Sequence, residues 1–150
     1  MAKLNFTIAT PERVVLEEEI DQVTIPTVAG EITVLPNHVP LVGIVKAGVL
    51  AIKRDDKNEV MAVAGGFFEV SDNQVKILAD TAERAEELDL AKVEEAHERA
   101  SAALAAARNQ SDVDYTALAA ALERELARVK VARKHRTHHG SVIDTGNQTV

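Results

Sequence analysis

The stretch Val60-Met-Ala-Val-Ala-Gly-Gly-Phe-Phe-Glu-Val-Ser-Asp-Asn-Gln-Val-Lys-Ile-Leu78 decides the fold. It holds three short apolar runs, which Gly65-Gly66 and Asp72-Asn73 separate as turn signals. Short strand-like segments also occur earlier in the chain. Leu4 to Ile8, for example, alternates apolar and polar residues with the period of a half-buried strand. The long crossovers of a parallel sheet are missing. The pattern therefore predicts an antiparallel β-sandwich or flattened barrel of about eight to ten strands.

The composition changes near residue 82, where Ala, Glu, Arg and Leu replace the β-branched residues. Asp89 is placed to cap a first helix that runs to about Arg108. Ser111-Asp112-Val113-Asp114 then has the pattern of a capping box that starts a second helix. A connection of about four residues predicts that the two helices are antiparallel. The predicted apolar faces are Val93, Ala96, Ala100, Ala103, Leu104 and Ala107 on the first helix, and Tyr115, Leu118, Leu122, Leu126 and Val129 on the second.

The chain thus reads as α+β, with a β-sandwich docking domain at 1–86 and a helix hairpin at 87–136. The hairpin is rich in Ala, which favours helix but buries little apolar area, so we expect it to be helical by itself and weakly docked. Residues 137–150 are His, Gly, Ser, Thr, Asn and Gln for the most part, which predicts a disordered tail.

Composition excludes several classes of function. With no cysteine, disulfides and thiolate chemistry are ruled out. A formal net charge of -7 argues against a nucleic-acid binder, which needs a basic surface. No signal-peptide pattern follows Met1, and no run of about 18 apolar residues occurs, so we expect membrane association only through partners.

An ordered set of motifs resembles one known family. It comprises Gly30-Glu-Ile-Thr-Val-Leu-Pro-Asn-His-Val-Pro-Leu-Val-Gly43, Lys46-Ala47-Gly48, Gly65-Gly66-Phe67-Phe68-Glu69-Val70, the strand at 75–82, Asp112-Val-Asp-Tyr115 and the helix segment 121–132. In this order and spacing, over about residues 3 to 136, the set resembles the epsilon subunit of the F-type ATP synthase. No single motif is decisive, but their order is.

The resemblance implies a non-catalytic rotor subunit of the central stalk. In that family the sandwich contacts the gamma subunit and the c-ring. The hairpin either folds down on the sandwich or extends along gamma to the alpha and beta subunits, where it inhibits ATP hydrolysis. The whole complex makes ATP with a proton gradient, or a sodium gradient. The expected location is the cytoplasmic face of a bacterial plasma membrane, because no transit peptide precedes Leu4. A plastid-encoded subunit would also lack such a peptide.

The resemblance also implies interface residues. Those of the docking loop are Glu31, His38, Pro40 and Leu41, and those of the basic hairpin end are Arg128, Lys130, Arg133 and Lys134. Two prolines stiffen the loop around His38. The alternative for His38 is a loop histidine that bonds its own backbone, and for Glu31 a solvated carboxylate. Part of the basic charge also complements a helix C-terminus.

Some family members bind ATP in the folded hairpin. Here Leu88-Asp89 matches their motif, but Lys92 and Val93 replace an Arg-Ala pair. Asp89, Lys92, Arg99, Arg124 and Arg128 are therefore the candidates for an ATP site, which is expected to be weak because Lys lacks the planar fork of Arg. The alternative for the three arginines is a solvated helix face or an ion pair between the helices, with Glu95 or Glu123. No cofactor is required by this interpretation. The alternative function is a stand-alone nucleotide-sensing β-sandwich adaptor.

The chain shows no catalytic constellation. Gly65-Gly66 lacks the Gly-Lys-Ser/Thr ending of a phosphate-binding loop, and neither His38 nor His97 has a nucleophile motif nearby. His135, His138 and His139 are expected to bind metal only adventitiously, so no metal site is predicted.

Overall fold

The computed structural model describes residues 2–140, which form ten strands, a short 3₁₀ helix and two α-helices. The strands are β1 (Leu4–Ala9), β2 (Val14–Ile20), β3 (Gln22–Thr27), β4 (Gly30–Val34), β5 (Leu41–Ile44), β6 (Gly48–Arg54), β7 (Lys57–Ala64), β8 (Phe67–Ser71), β9 (Gln74–Leu78) and β10 (Thr81–Arg84). The helices are the 3₁₀ helix (Ala85–Glu87), α1 (Leu90–Ala107) and α2 (Tyr115–Gly140).

The strands form two five-stranded sheets that face each other, as the alternating pattern predicts. The first sheet has the order β2-β1-β9-β8-β5 and the second has the order β10-β7-β6-β3-β4. Inward side chains from both sheets make one aliphatic core, in which Phe6, Ile25 and Leu50 are at most 1% exposed. Burial of such side chains is the main force that holds the two sheets together. The predicted fold class is confirmed.

One strand pair departs from the antiparallel prediction. β1 and β9 run parallel, with Phe6 opposite Val75 and Ile8 opposite Ile77. No short crossover joins them, because more than sixty residues of the sandwich lie between β1 and β9. The absence of βαβ units in the sequence therefore does not exclude a parallel pair between distant strands.

The segment between β4 and β5 carries the chain from the second sheet to the first. It turns at Asn37, whose φ of 63° lies in the left-handed region that Asn tolerates. The Asn37 amide donates to the Asn73 side-chain oxygen at 2.9 Å, which ties this loop to the β8–β9 turn. In β5, a Cβ at Gly43 would lie 2.5 Å from the Phe68 ring, so only glycine lets β5 pair closely with β8 there.

The two helices α1 and α2 form the predicted hairpin. The Asp89 carboxylate caps α1, accepting from the amides of Ala91 at 3.0 Å and Lys92 at 3.4 Å. The prediction that Ser111 starts α2 is wrong. Residues 111–113 are turn and bend, and the Asp114 carboxylate caps the helix by accepting from the Ala117 amide at 3.1 Å. The connection is therefore longer than predicted.

The predicted apolar faces of the helices are only partly correct. On α1, Val93 and Ala107 are buried but Ala103 is exposed. On α2, Val129 is buried, whereas Tyr115 and Leu126 are 47% and 40% exposed. Instead, α2 buries residues on two faces, because it packs on α1 and on strands β6 and β7. Its buried residues are Glu125, Ala127, Val129, Val131 and Ala132.

The predicted tail boundary is wrong at its first residues. α2 continues through Gly140, so Thr137 to Gly140 are helical rather than disordered. Extending an existing helix costs far less than starting one, and the Thr137 hydroxyl donates to the Lys134 carbonyl at 2.9 Å. The remainder of the predicted tail, 141–150, lies outside the described residues.

A small apolar cluster joins the hairpin to the outer face of the second sheet. Val131 of α2 is fully buried against Ala62 of β7 and Ala85 of the 3₁₀ helix. Val49, Val60 and Leu88 pack at its edge. The cluster is separate from the sandwich core, so the hairpin lies on the sandwich without contributing to its interior.

An ion pair fixes the joint between the sandwich and the hairpin. Arg13, in the loop between β1 and β2, places Nη2 2.6 Å from Oε1 of Glu87, and the Arg84 amide donates to the other Glu87 oxygen at 3.0 Å. Burial alone would raise the pKa of Glu87, but the hydrogen bonds from Arg13 and Arg84 outweigh it and hold that pKa below its ordinary value.

Glu87→Gln is expected to destabilise the chain at neutral pH and to have no effect in acid. A lowered folded-state pKa gives stability that is present above the unfolded value of about 4.3 and is lost as pH falls through the folded value. Because the pair is partly exposed, the loss at neutral pH is expected to be below about 1 kcal/mol. Urea unfolding of both proteins across this pH range measures it. Glu98→Gln, on the exposed face of α1, is the control, and a difference that grows in acid would contradict the assignment.

Candidate functional site

A row of exposed apolar side chains crosses the outer face of the first sheet. Cross-strand partners lie side by side on one face of a sheet, so the register defines the row. Across β5, β8, β9, β1 and β2 the paired positions are Ile44, Phe67, Leu78, Ala9 and Val14. Phe67 is 66% and Leu78 65% exposed. We call these five residues the apolar row.

The apolar row gives way to charged residues one pair further along the strands. There Glu69 stands opposite Lys76, and only Val42, which is 74% exposed, continues the apolar surface. A contiguous apolar strip bordered by charge is typical of a protein-protein contact. The row is not among the interface residues predicted from the sequence. The signal was the pair Phe67-Phe68, because adjacent strand residues point to opposite faces and only one of the two rings can be inside.

The residues of the predicted docking loop are divided between the two sheets. Glu31 lies exposed in β4 of the second sheet, whereas Leu41 begins β5 of the first. His38 is half-buried between them, and its Nδ1 lies 2.7 Å from the Val39 carbonyl oxygen. This contact agrees with the alternative stated for His38, a loop histidine that bonds the backbone of its own loop. Pro40 is exposed. The interface assignment of these four residues stays a prediction.

Three charged side chains meet where α2 lies against β10. Arg128 of α2 donates from Nε and Nη2 to the two carboxylate oxygens of Glu83, at 2.7 and 3.2 Å, and from Nη1 to Glu125 at 2.8 Å. We call Glu83, Arg128 and Glu125 the ion triad. Burial alone would lower the pKa of Arg128, but the bonds to Glu125 and Glu83 outweigh it and raise that pKa above its ordinary value.

The candidate ATP residues are not gathered in one place. Arg124 and Arg128 line a cleft of about 400 Å³ between α2 and β10, together with Glu12, Asp80, Glu83 and Glu125. Asp89 is engaged as the cap of α1, and Arg99 lies 4.0 Å from Glu95 on the exposed side of that helix. Neither of them, nor Lys92, lines this cleft. Including Arg13, the cleft is lined by four carboxylates and three guanidiniums. Because the carboxylates repel a phosphate group, the cleft is a poor site for ATP.

The basic end of α2 borders a second groove, of about 780 Å³, next to the β3–β4 and β5–β6 turns. Lys130 is exposed there and faces the same groove as Lys46 and Glu31. Arg133 is bonded to Glu94 of α1 at 3.0 Å, and Lys134 has a partner as well. Arg133 and Lys134 are therefore already engaged in the folded chain, and the bond of Arg133 lies within the hairpin.

The described residues 2–140 form neither a metal-binding cluster nor a membrane-spanning helix. Within this part of the chain, no group of three or more His, Asp or Glu side chains is arranged to hold a metal ion. The side chains of His138 and His139 lie outside the described residues. Within the same range, neither helix is sufficiently long and apolar to cross a membrane.

Comparison with known proteins agrees with the geometry. The family described as ATP synthase, Delta/Epsilon chain, beta-sandwich domain matches residues 3–85. The ATP synthase epsilon chain of Dehalococcoides mccartyi is 43% identical over 138 residues, which cover 92% of this chain and 98% of that one. The ATP synthase epsilon chain of Moorella thermoacetica is 45% identical over 133 residues, covering 88% and 98%.

Solved structures show the same fold. A chain in the Euglena gracilis mitochondrial ATP synthase structure of OSCP, F1 and c-ring superposes with a TM-score of 0.74 at 26% identity, covering 92% of this chain and 83% of that one. A chain in the Tetrahymena thermophila mitochondrial ATP synthase central stalk and c-ring structure gives a TM-score of 0.54 at 17% identity, covering 89% and 96%. At that identity, the second comparison supports the fold alone.

The molecule is thus of the class in which a β-sandwich with an exposed apolar row carries a C-terminal helix hairpin. The chain belongs to the ATP synthase epsilon chain family. The resemblance recognised from its ordered motifs is confirmed, and so is the prediction of a subunit of an enzyme complex rather than an enzyme by itself.

Proposed function

We propose that the chain is a central-stalk rotor subunit that joins the gamma subunit to the c-ring and restrains ATP hydrolysis through its hairpin. Its family places it in the ATP synthase, a membrane-bound complex. The observation that carries the docking part of the proposal is the apolar row, because a sandwich with a packed core still exposes Phe67 and Leu78 side by side. Such a surface is suited to a permanent partner.

The gamma subunit is the proposed partner of the apolar row. Torque passes between two subunits through packing surfaces, so a rigid sheet face is better suited to this task than a mobile loop. The row crosses all five strands of the first sheet, and buried residues of β1, β2, β8 and β9 fix the backbone of these four strands in the core. The segment from Glu31 to Leu41, at the change between sheets, is the proposed c-ring contact.

The hairpin is the proposed regulatory element, with a folded and an extended position. The small cluster around Val131 and the ion triad hold the folded position described above. In the extended position, Arg128, Lys130, Arg133 and Lys134 are proposed to contact acidic surfaces of the alpha and beta subunits. A ligand or contact that binds one position better shifts the population toward it.

The proposed location is peripheral, on the cytoplasmic face of a bacterial plasma membrane. The two similar epsilon chains named above come from the bacteria Dehalococcoides mccartyi and Moorella thermoacetica. Attachment to the membrane goes through the partner subunits of the complex.

Removing the hairpin is expected to raise the ATPase activity of the purified complex severalfold. A truncation after Glu87 keeps every strand and the sandwich core but removes both helices. The measurement is ATP hydrolysis by the assembled complex, with subunit content checked by gel. A truncation after Gly140 keeps the hairpin and is the matched control, expected to behave as the full chain. Unchanged hydrolysis after the first truncation would show that the hairpin does not inhibit in this complex.

The alternative of a free nucleotide-sensing adaptor predicts a different result. Such a protein would bind ATP as a monomer, without gamma or c-ring. Purification of the chain with its natural partners, followed by ATP titration of the isolated chain, separates the two functions. Copurification with gamma and the c-ring supports the rotor subunit, whereas micromolar affinity for ATP without partners supports the adaptor.

A further inference from the structure

Glu83 occupies an unusual place beneath the hairpin. In β10, Ala82 points into the core and Glu83 points outward, as strand alternation requires. The register puts Glu83 opposite Ala62, which in turn stands opposite Val49, and both belong to the apolar cluster under α2. A carboxylate thus ends a row of small apolar side chains that the hairpin covers.

Arg128 is the cation that compensates this carboxylate. It bonds Glu83 with a two-pronged fork, which is the strongest geometry of a guanidinium and a carboxylate. Its third nitrogen bonds Glu125, whose side chain is only 10% exposed. All three nitrogens of the guanidinium are therefore engaged.

Charge around the ion triad is close to balanced only while Arg128 is present. Arg124 adds a weaker contact, with Nε 3.7 Å from Glu125. The other charged groups lining the same cleft are Glu12, Asp80 and Arg13, and Arg13 is bonded to Glu87. Without the charge of Arg128, Glu83 on the sandwich and Glu125 on the hairpin would face each other as two carboxylates in a partly dry site.

We propose that Arg128 is an electrostatic latch, which holds the hairpin on the sandwich while it bonds Glu83 and drives the hairpin off when it is drawn away. An acidic surface that binds Arg128 removes the attraction between Arg128 and Glu83. At the same time it leaves Glu83 and Glu125 to repel each other. Arg128 therefore cannot serve the folded and the extended position at once. The proposal deepens the proposed function, since it names the contact that sets the position of the hairpin.

The test measures the distance between sandwich and hairpin in the full-length chain. The chain has no cysteine, so Asn58→Cys on β7 and Thr116→Cys near the start of α2 give two sites for spin labels. Pulsed electron spin resonance then reports the fraction of docked hairpins. Circular dichroism of each variant checks that the sandwich is folded.

Arg128→Gln is expected to lower the ratio of docked to undocked hairpins by on the order of tenfold, since it leaves Glu83 unpaired and Glu125 with only the weaker contact to Arg124. Glu83→Gln is expected to have a smaller effect, because the bond between Arg128 and Glu125 remains. The double variant is expected to recover part of the docking that Arg128→Gln loses. The exchanged pair Glu83→Arg with Arg128→Glu restores an attraction and is expected to dock better than Arg128→Glu alone.

Arg133→Gln is the matched control, since Arg133 is also an α2 arginine but bonds Glu94 within the hairpin. It is expected to leave the docked fraction unchanged. Raising NaCl from about 0.05 M to about 0.5 M is expected to undock the full chain further and to affect Arg128→Gln less, because salt screens the attraction.

An Arg128→Gln variant that stays docked as the full chain does would overturn the proposal, and so would an equal loss of docking in Arg133→Gln. These outcomes are independent of the inhibition test. If truncation leaves ATP hydrolysis unchanged while Arg128→Gln frees the hairpin, the latch stands and the inhibitory function fails. If truncation raises hydrolysis while Arg128→Gln stays docked, the inhibitory function stands and the latch fails.

Discussion

Phe67→Asp is expected to abolish stable binding of the gamma subunit and to leave the sandwich folded. Phe67 lies within the apolar row, between Ile44 and Leu78, and its ring is mostly exposed in the isolated chain. A charge at the centre of a packed interface would lose water without gaining a partner. Central aromatic residues commonly contribute 2 kcal/mol or more to binding, so affinity is expected to fall at least about 30-fold.

The measurement is binding of purified gamma to the full chain and to the variant, with thermal unfolding of both. Glu69→Ala is the matched control, because Glu69 lies two residues along the same strand and on the same outer face but in the charged row. It is expected to bind gamma nearly as well as the unchanged chain. Tight binding by Phe67→Asp would show that gamma uses another surface.

Phe6→Ala is expected to give the largest loss of stability among single core changes. The Phe6 ring is 1% exposed and belongs to the cluster that both sheets share. Truncation of a buried Phe to Ala costs about 3 to 5 kcal/mol through lost burial and the cavity left behind. Because a domain of this size has about 5 to 15 kcal/mol in total, the variant is expected to unfold at much lower urea concentrations.

Phe67→Ala provides the comparison for this result. It removes the same ring from an exposed position, so its free energy of unfolding is expected to change by no more than about 0.5 kcal/mol. Urea titration of the three proteins, followed by circular dichroism, gives both values. Equal losses of stability for the two variants would contradict the assignment of Phe6 to the core and Phe67 to the surface.

The strands could be predicted from the sequence because their information is local. Alternation from Leu4 to Ile8 and the turn signals at 65–66 and 72–73 fall where the structure has strands and turns. The cap at Asp89 could be predicted for the same reason, because its bonds are to amides only two and three residues later. The start of α2 was not decided in this way, since Ser111 and Asp114 are both good capping residues and only the fold of the connection selects the second.

The pairing of distant strands could not be predicted in the same way. A period of two assigns each residue to a face but does not say which strand lies beside which. The parallel pair of β1 and β9 and the change of sheet between β4 and β5 depend on the packing of the whole sandwich. The apolar row was missed for this reason, because its five residues come from five separate strands.

The ion triad illustrates the same limit for the site. Arg128 was recognised as a charged residue with a role, but its partner Glu83 lies 45 residues earlier in the chain. From the sequence, Arg128 is assigned to a nucleotide or a partner surface, with a solvated helix face or an ion pair between the helices as the alternative. In the folded structure it is bonded to two carboxylates, a state that only the packing of α2 against β10 creates.

The separation of the two apolar clusters has an evolutionary consequence. Every residue of the buried sandwich cluster lies between Leu4 and Ala82, whereas Val131 of α2 belongs to the second, smaller cluster on the outer face of the second sheet. Substitutions that accumulate in the helices therefore leave the buried core of the sandwich unchanged. Selection can alter the hairpin, which is the proposed regulatory element, in one lineage while the sandwich, which is the proposed docking element, is inherited unchanged.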